Sequence, residues 1–535
     1  MASGSSASGG DTASPAQLAA DIEAYLAEHP EAVVLEDGAI LFDMRLASCS
    51  VAESHGRCVL QFWSEERNLV RSVLSAQRRA TCLRLMTRRM GAAKPVALEI
   101  VPNANRRTPA ARETSRKQYM RRLERVLARV FPEWKAEGFR TATDLEHSFG
   151  PAYVRGHLVR GSKGMQAEAV IGVGADESSA MVDGILTLGL LWLDHCRERS
   201  QGKQRHYGAL DVIVPVGAAQ TTAERMVWLN HEMASFRLFT LDERSEELVE
   251  IDYRDVGNVN SRLVHTFDVV RALERAQADV NRVLELVPEA AHGVVEIRPR
   301  SAAEVGLFLH GLEFARVRGR AATNSFTREQ EITFGAGPNE TPLNEDTEPM
   351  CRELLAQLFL SRQPDGEHID PLFRVQPERW LESRIRMTLK DFLPGLRGEF
   401  LYSQVPAIGS GERGMLDLLT VDRDGRLVVI EVKANEDLHL PLQGLDYWLR
   451  VRALNADRRI QGTRETGAFE RHGYFAGTEV VAQPPKLLLI APALRIHPSN
   501  ETVLRYFSPE VEWELVAVGE YWRRELKTIF RKRGN

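Results

Sequence analysis

The chain has 535 residues, 43% of them hydrophobic and 27% charged, with a formal net charge of −5. That length supports about three domains at roughly 150 residues each and is ample for several buried cores. It excludes a disordered chain and a small disulfide-stapled scaffold. The longest apolar stretch, 185–193, is too short to cross a ~30 Å hydrocarbon layer, so no membrane span is expected. Residues 1–14 are small and polar, without a basic or apolar leader region, and read as a loose tail. Five scattered cysteines without CxxC spacing fit a reducing cytoplasm and argue against structural zinc or a disulfide framework.

The net charge hides an asymmetry. Between Arg67 and Arg129 stand 17 Lys and Arg against three acids, a balance of +14, so the rest of the chain sums to −19. Arginine supplies 15 of those cations, and its planar fork suits phosphate. Solvated helix faces are the plainer explanation of such a run. In chain order, 31–62 alternates like short strands, about 65–90 reads as a helix, and 96–102 as a strand. This suggests a small basic α/β or α+β module over 15–105. Its arginines Arg67, Arg71, Arg78, Arg84 and Arg88 are candidates for contacting nucleic acid, joined by Arg106, Arg107, Arg116 and Lys117 beyond it. In the helix that follows, Leu123, Val126, Leu127 and Val130 recur at the spacing of a buried face.

Parts of 120–242 and 378–519 read as two copies of one pattern. Helix RLERVLARVFP answers WLESRIRMTLKDFLP, and strand AVIGVGADE answers VVIEVKANE. A helix follows each, then a strand ending at Pro215 or Pro492, then a strand centred on Leu238 or Leu515. The second copy carries an insertion over roughly 455–475, suited to a hairpin tip. A connector over 261–365 begins with a helix to 287, continues as strand VVEIRP and then a helix over SAAEVGLFLHGLEFARVR, and includes a Gly/Pro/Asn-rich loop near 335–349. Arg298, Arg300, Arg316, Arg318 and Arg320 form a smaller basic cluster there, equally open to solvation or to lining a channel. The acidic run 242–255 reads as a solvated hairpin.

The chemistry concentrates in GMLDLLTVDRDGRLVVIEVKANEDLHLPLQGLDYWLRV. Asp424-Gly425 marks a hairpin turn. Glu431 and Lys433, two apart on one strand, share a face, and an antiparallel partner can set Asp417 beside them. Two carboxylates and an ammonium converging in this way fit a divalent-metal phosphodiesterase, because hard oxygen ligands suit Mg²⁺ and leave room for water and phosphate oxygen. A bound metal lowers the pKa of its water and offsets charge at phosphorus. Lys433 would orient that water, or deprotonate it if burial depresses the lysine pKa. The plainer explanation, a surface ion pair on an edge strand, sits poorly with the apolar run 427–430.

These residues resemble the PD-(D/E)XK nuclease superfamily. The positions that match its motif are Asp417, Glu431 and Lys433, with Gln443 and Tyr447 forming the Q-x-x-x-Y of the RecB-like and Cas4-like branches. Glu382 on the preceding helix matches the acidic residue that often completes the metal site, and Glu378 is a weaker candidate. Leu416 stands where the motif often has proline. The resemblance covers the C-terminal domain, 370–535, and implies a restriction-endonuclease-like αβββαβ core. It also implies Mg²⁺ or Mn²⁺ held by Asp417, Glu431 and Glu382, and hydrolysis of nucleic-acid backbone, DNA ahead of RNA. A role in defence against foreign DNA or in repair follows from the family's habits.

The first copy, over 111–260, lacks this constellation. Aligning the two strands sets Gly172 at Glu431, Gly174 at Lys433 and Asp183 at Gln443, with Asp417 falling near His157–Leu158 and Glu124 at Glu382. It is expected to be a catalytically empty nuclease-like domain, or an unrelated α/β unit. GHLVRGSK is not a P-loop, since its lysine and serine are in the wrong order. His157, His206 and His292 lack ligand spacing. The expectation is a multidomain α/β cytoplasmic nuclease, compatible with a homodimer, naming no protein partner and contacting mainly phosphate. The competing class is a non-cleaving nucleic-acid-binding or scaffold protein on nuclease folds.

Overall fold

Alternation of buried and exposed side chains governs the N-terminal module. The computed structural model describes residues 14–30, 32–36, 39–44, 47–54, 56–63, 68–79, 82–88, 95–102, 109–144, 148–161, 165–201, 205–255, 262–321, 328–336, 340–366, 370–408, 413–461 and 464–534. Helix α1 (Pro15–Glu28) precedes β1 (Val33–Glu36), β2 (Ala39–Asp43), β3 (Ser48–Ser54), β4 (Arg57–Trp63), β5 (Asn68–Arg78), β6 (Leu83–Arg88) and β7 (Pro95–Val101). These strands form one antiparallel sheet in the order β2-β1-β7-β6-β5-β4-β3. The helix expected over 65–90 is therefore corrected to two strands. Leu83, Leu85 and Thr87 are buried while Arg84, Met86 and Arg88 are more exposed, a period of two that belongs to a half-buried strand. Leu18, Ile22, Tyr25 and Leu26 of α1 close the core.

The chain divides into two compact units, Met1–Thr114 with Gly335–Thr341, and Ser115–Phe334 with Pro342–Asn535. The second unit holds the duplication. After α2 (Pro109–Val130) come β8 (Lys135–Arg140), β9 (Tyr153–Arg160), β10 (Gln166–Val173), α3 (Ser179–Ser200), β11 (His206–Pro215), α4 (Gln220–Met226), β12 (Ser235–Asp242) and β13 (Glu247–Ile251). Strands β8, β9 and β10 are antiparallel, β10, β11 and β12 parallel, and β13 returns antiparallel as the hairpin of the acidic run.

The connector follows as β14 (Arg262–Leu263), α5 (Val269–Leu284), β15 (Val295–Ser301), β16 (Glu304–Leu309), β17 (Leu312–Ala321), β18 (Arg328–Phe334), β19 (Thr341–Pro342) and α6 (Glu348–Ser361), with α7 (Pro371–Arg374) beyond it. Then the pattern recurs. It runs through α8 (Pro377–Phe392), β20 (Tyr402–Ile408), β21 (Arg413–Val421), β22 (Leu427–Val432), α9 (Leu440–Ala456), an inserted hairpin β23 (Arg459–Gln461) and β24 (Arg464–Thr466) with α10 (Ala468–Arg471), β25 (Lys486–Pro492), α11 (Ser499–Arg505), β26 (Trp513–Val518) and β27 (Thr528–Arg533). Strand directions repeat those of the first sheet: antiparallel through β22, parallel through β26, antiparallel at β27.

The ladders also correct the pairing of the copies. Gly172 pairs with Ile213 and Val432 with Ile490, each two residues before the strand-ending proline. Gly172 therefore corresponds to Val432, and Ile171 and Val173 take the places of Glu431 and Lys433. A one-residue slip in a strand moves every side chain to the other face, so spacing alone could not settle this register. Arg155 pairs with Ile171, which sets Arg155 where the second copy has Asp417.

In the connector, the helix expected over SAAEVGLFLHGLEFARVR is corrected to the hairpin β16–β17. Val305 to Leu309 are buried on both faces of β16, and the turn His310-Gly311 holds φ 47° and 77° at its two residues, as a two-residue hairpin turn demands. A Cβ on Gly311 would stand 2.0 Å from the carbonyl oxygen of Arg379, so only glycine lets this turn meet the start of α8.

His310 is 3% exposed and stacks on Trp380 at 5.0 Å. Burial, then Arg362, pulls its pKa down to about 4. The unfolded chain takes up this proton near pH 6.5 and the folded chain only near 4, so stability is complete above pH 6.5 and declines as pH falls toward 4, at about 1.4 kcal/mol per unit. Denaturant titrations at pH 7, 6 and 5 are expected to give a shallower decline in His310→Asn, whose side chain suits the left-handed turn.

Candidate active site

The geometry around the motif starts with a tight hairpin. The Asp422 carboxylate accepts hydrogen bonds from the backbone of Asp424 (3.0 Å) and Arg426 (2.9 Å), and Gly425 adopts φ 85°. This turn sets the register Leu418↔Ile430, so Asp417 lies opposite Glu431, and Val432 N donates to Asp417 Oδ2 at 3.2 Å. β22 lies between β21 and β25 and is buried at every position. An acid there has to be buried too, and Glu431 is 2% exposed. Burial, then repulsion by Asp417, raises its pKa well above the usual carboxylate range, with Lys433 opposing. Its Oε2 has no hydrogen-bond partner among the described residues. An orphaned, buried carboxylate oxygen costs about 1–3 kcal/mol or more unless something positive meets it.

Lys433 stands just past β22, its N–H bonded to Ile490 O at 3.0 Å. Its Nζ is 3.7 Å from Glu431 Oε1 and 3.4 Å from Asp437 Oδ2. The condition for Lys433 to deprotonate a water, a depressed pKa, is not met. Burial lowers it, but Glu431, Glu378, Asp437 and Asp417 together raise it further, so Lys433 is a charged donor at neutral pH. Helix α9 carries Gln443 and Tyr447 one turn apart, both half-buried. Burial, then Glu431 and Asp417, pushes the Tyr447 phenol far up, so its hydroxyl stays protonated beside the two carboxylates.

On α8 the two acids stand in different surroundings. Glu382 is 1% exposed and tied to arginines, with Arg379 Nη1 donating to Oε2 at 2.7 Å and Arg298 Nη1 at 3.6 Å from Oε1. Glu378 answers instead to the site's charges: burial raises its pKa, Lys433 lowers it, and Asp417 and Asp437 raise it. Arg379 also reaches 3.7 Å from Asp417 Oδ1. Sequence reasoning missed Arg379 and Asp437, legible as the i,i+3 partner of Glu382 and the i+4 neighbour of Lys433; Arg298 stood out only as part of the connector's basic cluster, and nothing local signals its approach to Glu382.

Among the described residues no three or more His, Cys, Asp and Glu side chains are disposed to enclose a metal ion. The donor set fits a divalent cation held by two carboxylates and otherwise by water, as Mg²⁺ accepts. Its basis is the orphaned Glu431 oxygen and the four carboxylates that crowd Lys433. No model of a known protein family matches the chain, and no curated protein matches it.

The candidate nucleic-acid contacts are dispersed. Arg67, Arg106 and Arg107 lie outside the described residues. Arg71 is 8% exposed and 3.2 Å from Glu36. Arg78 pairs with Glu28, Arg84 approaches Glu99 at 3.9 Å, and Arg116 bonds Glu177 at 2.9 Å. Arg88 and Lys117 are exposed. On α2, Arg122 and Arg125 are also engaged, with Glu243 and Glu246. Among the described residues, five cations of the run, Arg71, Arg78, Arg116, Arg122 and Arg125, are thus met by acids from outside it. The connector cluster is likewise paired: Arg298 with Glu296, Arg300 with Glu313, Arg316 with Glu313 and Glu304, and Arg318 with Glu304. Arg320 lies on β17, its side chain outside those described. Among the described residues no helix is long and apolar enough to cross a membrane.

Proposed function

We propose that this chain is a metal-dependent nuclease hydrolysing phosphodiester bonds, with DNA the favoured substrate. The observation that carries it is Glu431, buried on a central strand with one oxygen unpartnered, beside Asp417 and within 3.7 Å of Lys433. The order α8-β20-β21-β22-α9-β25 supports this reading, because an αβββαβ core is what the resemblance implies, and Glu431 lies near the carboxyl end of a strand parallel to β25, where open α/β sheets bind ligands. Asp417 and Glu431 would hold Mg²⁺ or Mn²⁺, which supplies an activated water and offsets charge at phosphorus. Lys433, charged, donates a hydrogen bond to the water or to a phosphate oxygen and keeps the two carboxylates together. Tyr447 stays protonated and donates at the edge of the carboxylate pair, with Gln443 one turn away. Glu378 is the further acid that faces these groups, whereas Glu382 anchors Arg379.

The test is cleavage of labelled single- and double-stranded DNA and RNA with Mg²⁺, Mn²⁺ or EDTA. Wild type is expected to cut with metal, and Lys433→Ala to lose roughly 10²–10³-fold in rate while keeping affinity. If wild type and Lys433→Ala bind alike and neither cuts any substrate, the chain is a non-cleaving nucleic-acid-binding protein and the enzyme reading fails.

A further inference from the structure

The two copies in the second unit pack against each other as the subunits of a symmetric dimer do. In the parallel ladders one offset carries Pro215 to Pro492 and Leu241 to Val518. The same offset carries Leu229–Asn230 to Tyr506–Phe507. Those equivalent segments meet each other: Leu229 bridges Phe507 antiparallel, Asn230 N donates to Tyr506 O at 2.8 Å, and Ser508 N donates to Trp228 O at 2.8 Å. A segment paired antiparallel with its own counterpart is the signature of an isologous, twofold contact. The flanking elements obey the same relation. Arg225 of α4 reaches Asp446 of α9, and reciprocally Arg505 of α11 reaches Asp194 of α3 at 3.2 Å. Leu186, Leu190 and Leu193 of α3 share one core with Leu442, Leu445 and Leu449 of α9.

Only one copy carries the acids. Ile171 and Val173 stand where the other has Glu431 and Lys433, and Arg155 stands at the place of Asp417. Arg155 is fully buried against Phe149, at 4.3 Å from its ring, and a buried cation there repels a metal ion.

We infer that the chain is a covalent pseudo-dimer whose vacant half occupies the seat of a second subunit, so that it attacks one strand of a duplex per encounter and acts as a nicking enzyme. This rests on the nuclease reading above. The interface a second copy would use is already filled from within the chain, so no paired active site is assembled to reach the other strand.

The experiment is Mg²⁺-dependent cleavage of supercoiled plasmid by the full-length protein, with light scattering to fix its mass. Open-circular DNA is expected to accumulate to nearly all the substrate before linear DNA appears, at a rate proportional to monomer concentration. Glu431→Gln is expected to abolish both products. Linear DNA formed together with the first open circles, or a rate rising with the square of protein concentration, overturns the inference and leaves the nuclease reading standing. So does cleavage confined to single-stranded substrates. Failure to cut plasmid, single-stranded DNA or RNA overturns both.

Discussion

Glu431→Gln is expected to raise the stability of the metal-free protein by about 1–3 kcal/mol while lowering cleavage more than about 100-fold. The two effects share one cause. In the absence of a cation, Glu431 is 2% exposed, repelled by Asp417, and left with an unpartnered oxygen. The isosteric amide cannot ionise and so escapes both the burial of charge and that repulsion, and apparent Tm in EDTA should rise by a few degrees at a pH where the wild-type carboxyl is ionised. The same amide is a poor ligand for a hard cation, so the stabilisation that Mg²⁺ confers on wild type through linkage should disappear. Thermal melts in EDTA and in millimolar Mg²⁺, run beside the cleavage assay, read both effects. A variant less stable than wild type in EDTA would mean that Glu431 is already satisfied without a cation, and the metal reading would lose its main support.

The second large effect is expected at Arg225. Its guanidinium is 6% exposed and bonds Asp446 through two parallel contacts of 2.8 and 2.7 Å, with a further bond to Asp183 O. Burial lowers its pKa but Asp446 more than restores it, so Arg225 stays charged. Arg225→Ala removes this link between the copies and strips Asp446 of its counter-charge. Breaking such a pair costs about 3–5 kcal/mol when fully buried, and somewhat less here because Asp446 is 24% exposed. Arg225→Met with Asp446→Leu should recover most of the loss, since apolar replacement of both partners removes the unpaired charge. A denaturant double-mutant cycle gives the coupling directly. Asp446 precedes Tyr447, so Arg225→Ala should also slow cleavage, and the double variant should restore stability more fully than rate. An additive cycle would mean that the two halves do not depend on this contact.

The candidate site was largely legible because its parts are local. Glu431 and Lys433 are two apart on a strand, Asp417 is brought back by a turn that Asp424-Gly425 announces, and Gln443 and Tyr447 share a helix face. Each relation spans at most one turn or hairpin, and backbone geometry sets it. The β5–β6 region was misread because an arginine-rich strand and an amphipathic helix have similar composition, and only sheet pairing decides which faces are covered. The copies were recognised but aligned one residue out, since a two-residue period leaves spacing ambiguous until a neighbouring strand fixes the register.

By itself the sequence determined the αβ order, the repeated pattern and the strand that carries Glu431, all written in periodicity and residue chemistry over short distances. Only the tertiary structure decided which glutamate of α8 faces the lysine and how much of the arginine-rich run is neutralised. It alone also brought the first copy against the second as a dimer partner would be. Those outcomes depend on charges and apolar faces brought together from positions as far apart as Arg225 and Asp446. Local propensity carries no record of such long-range pairings, and burial sets their energies.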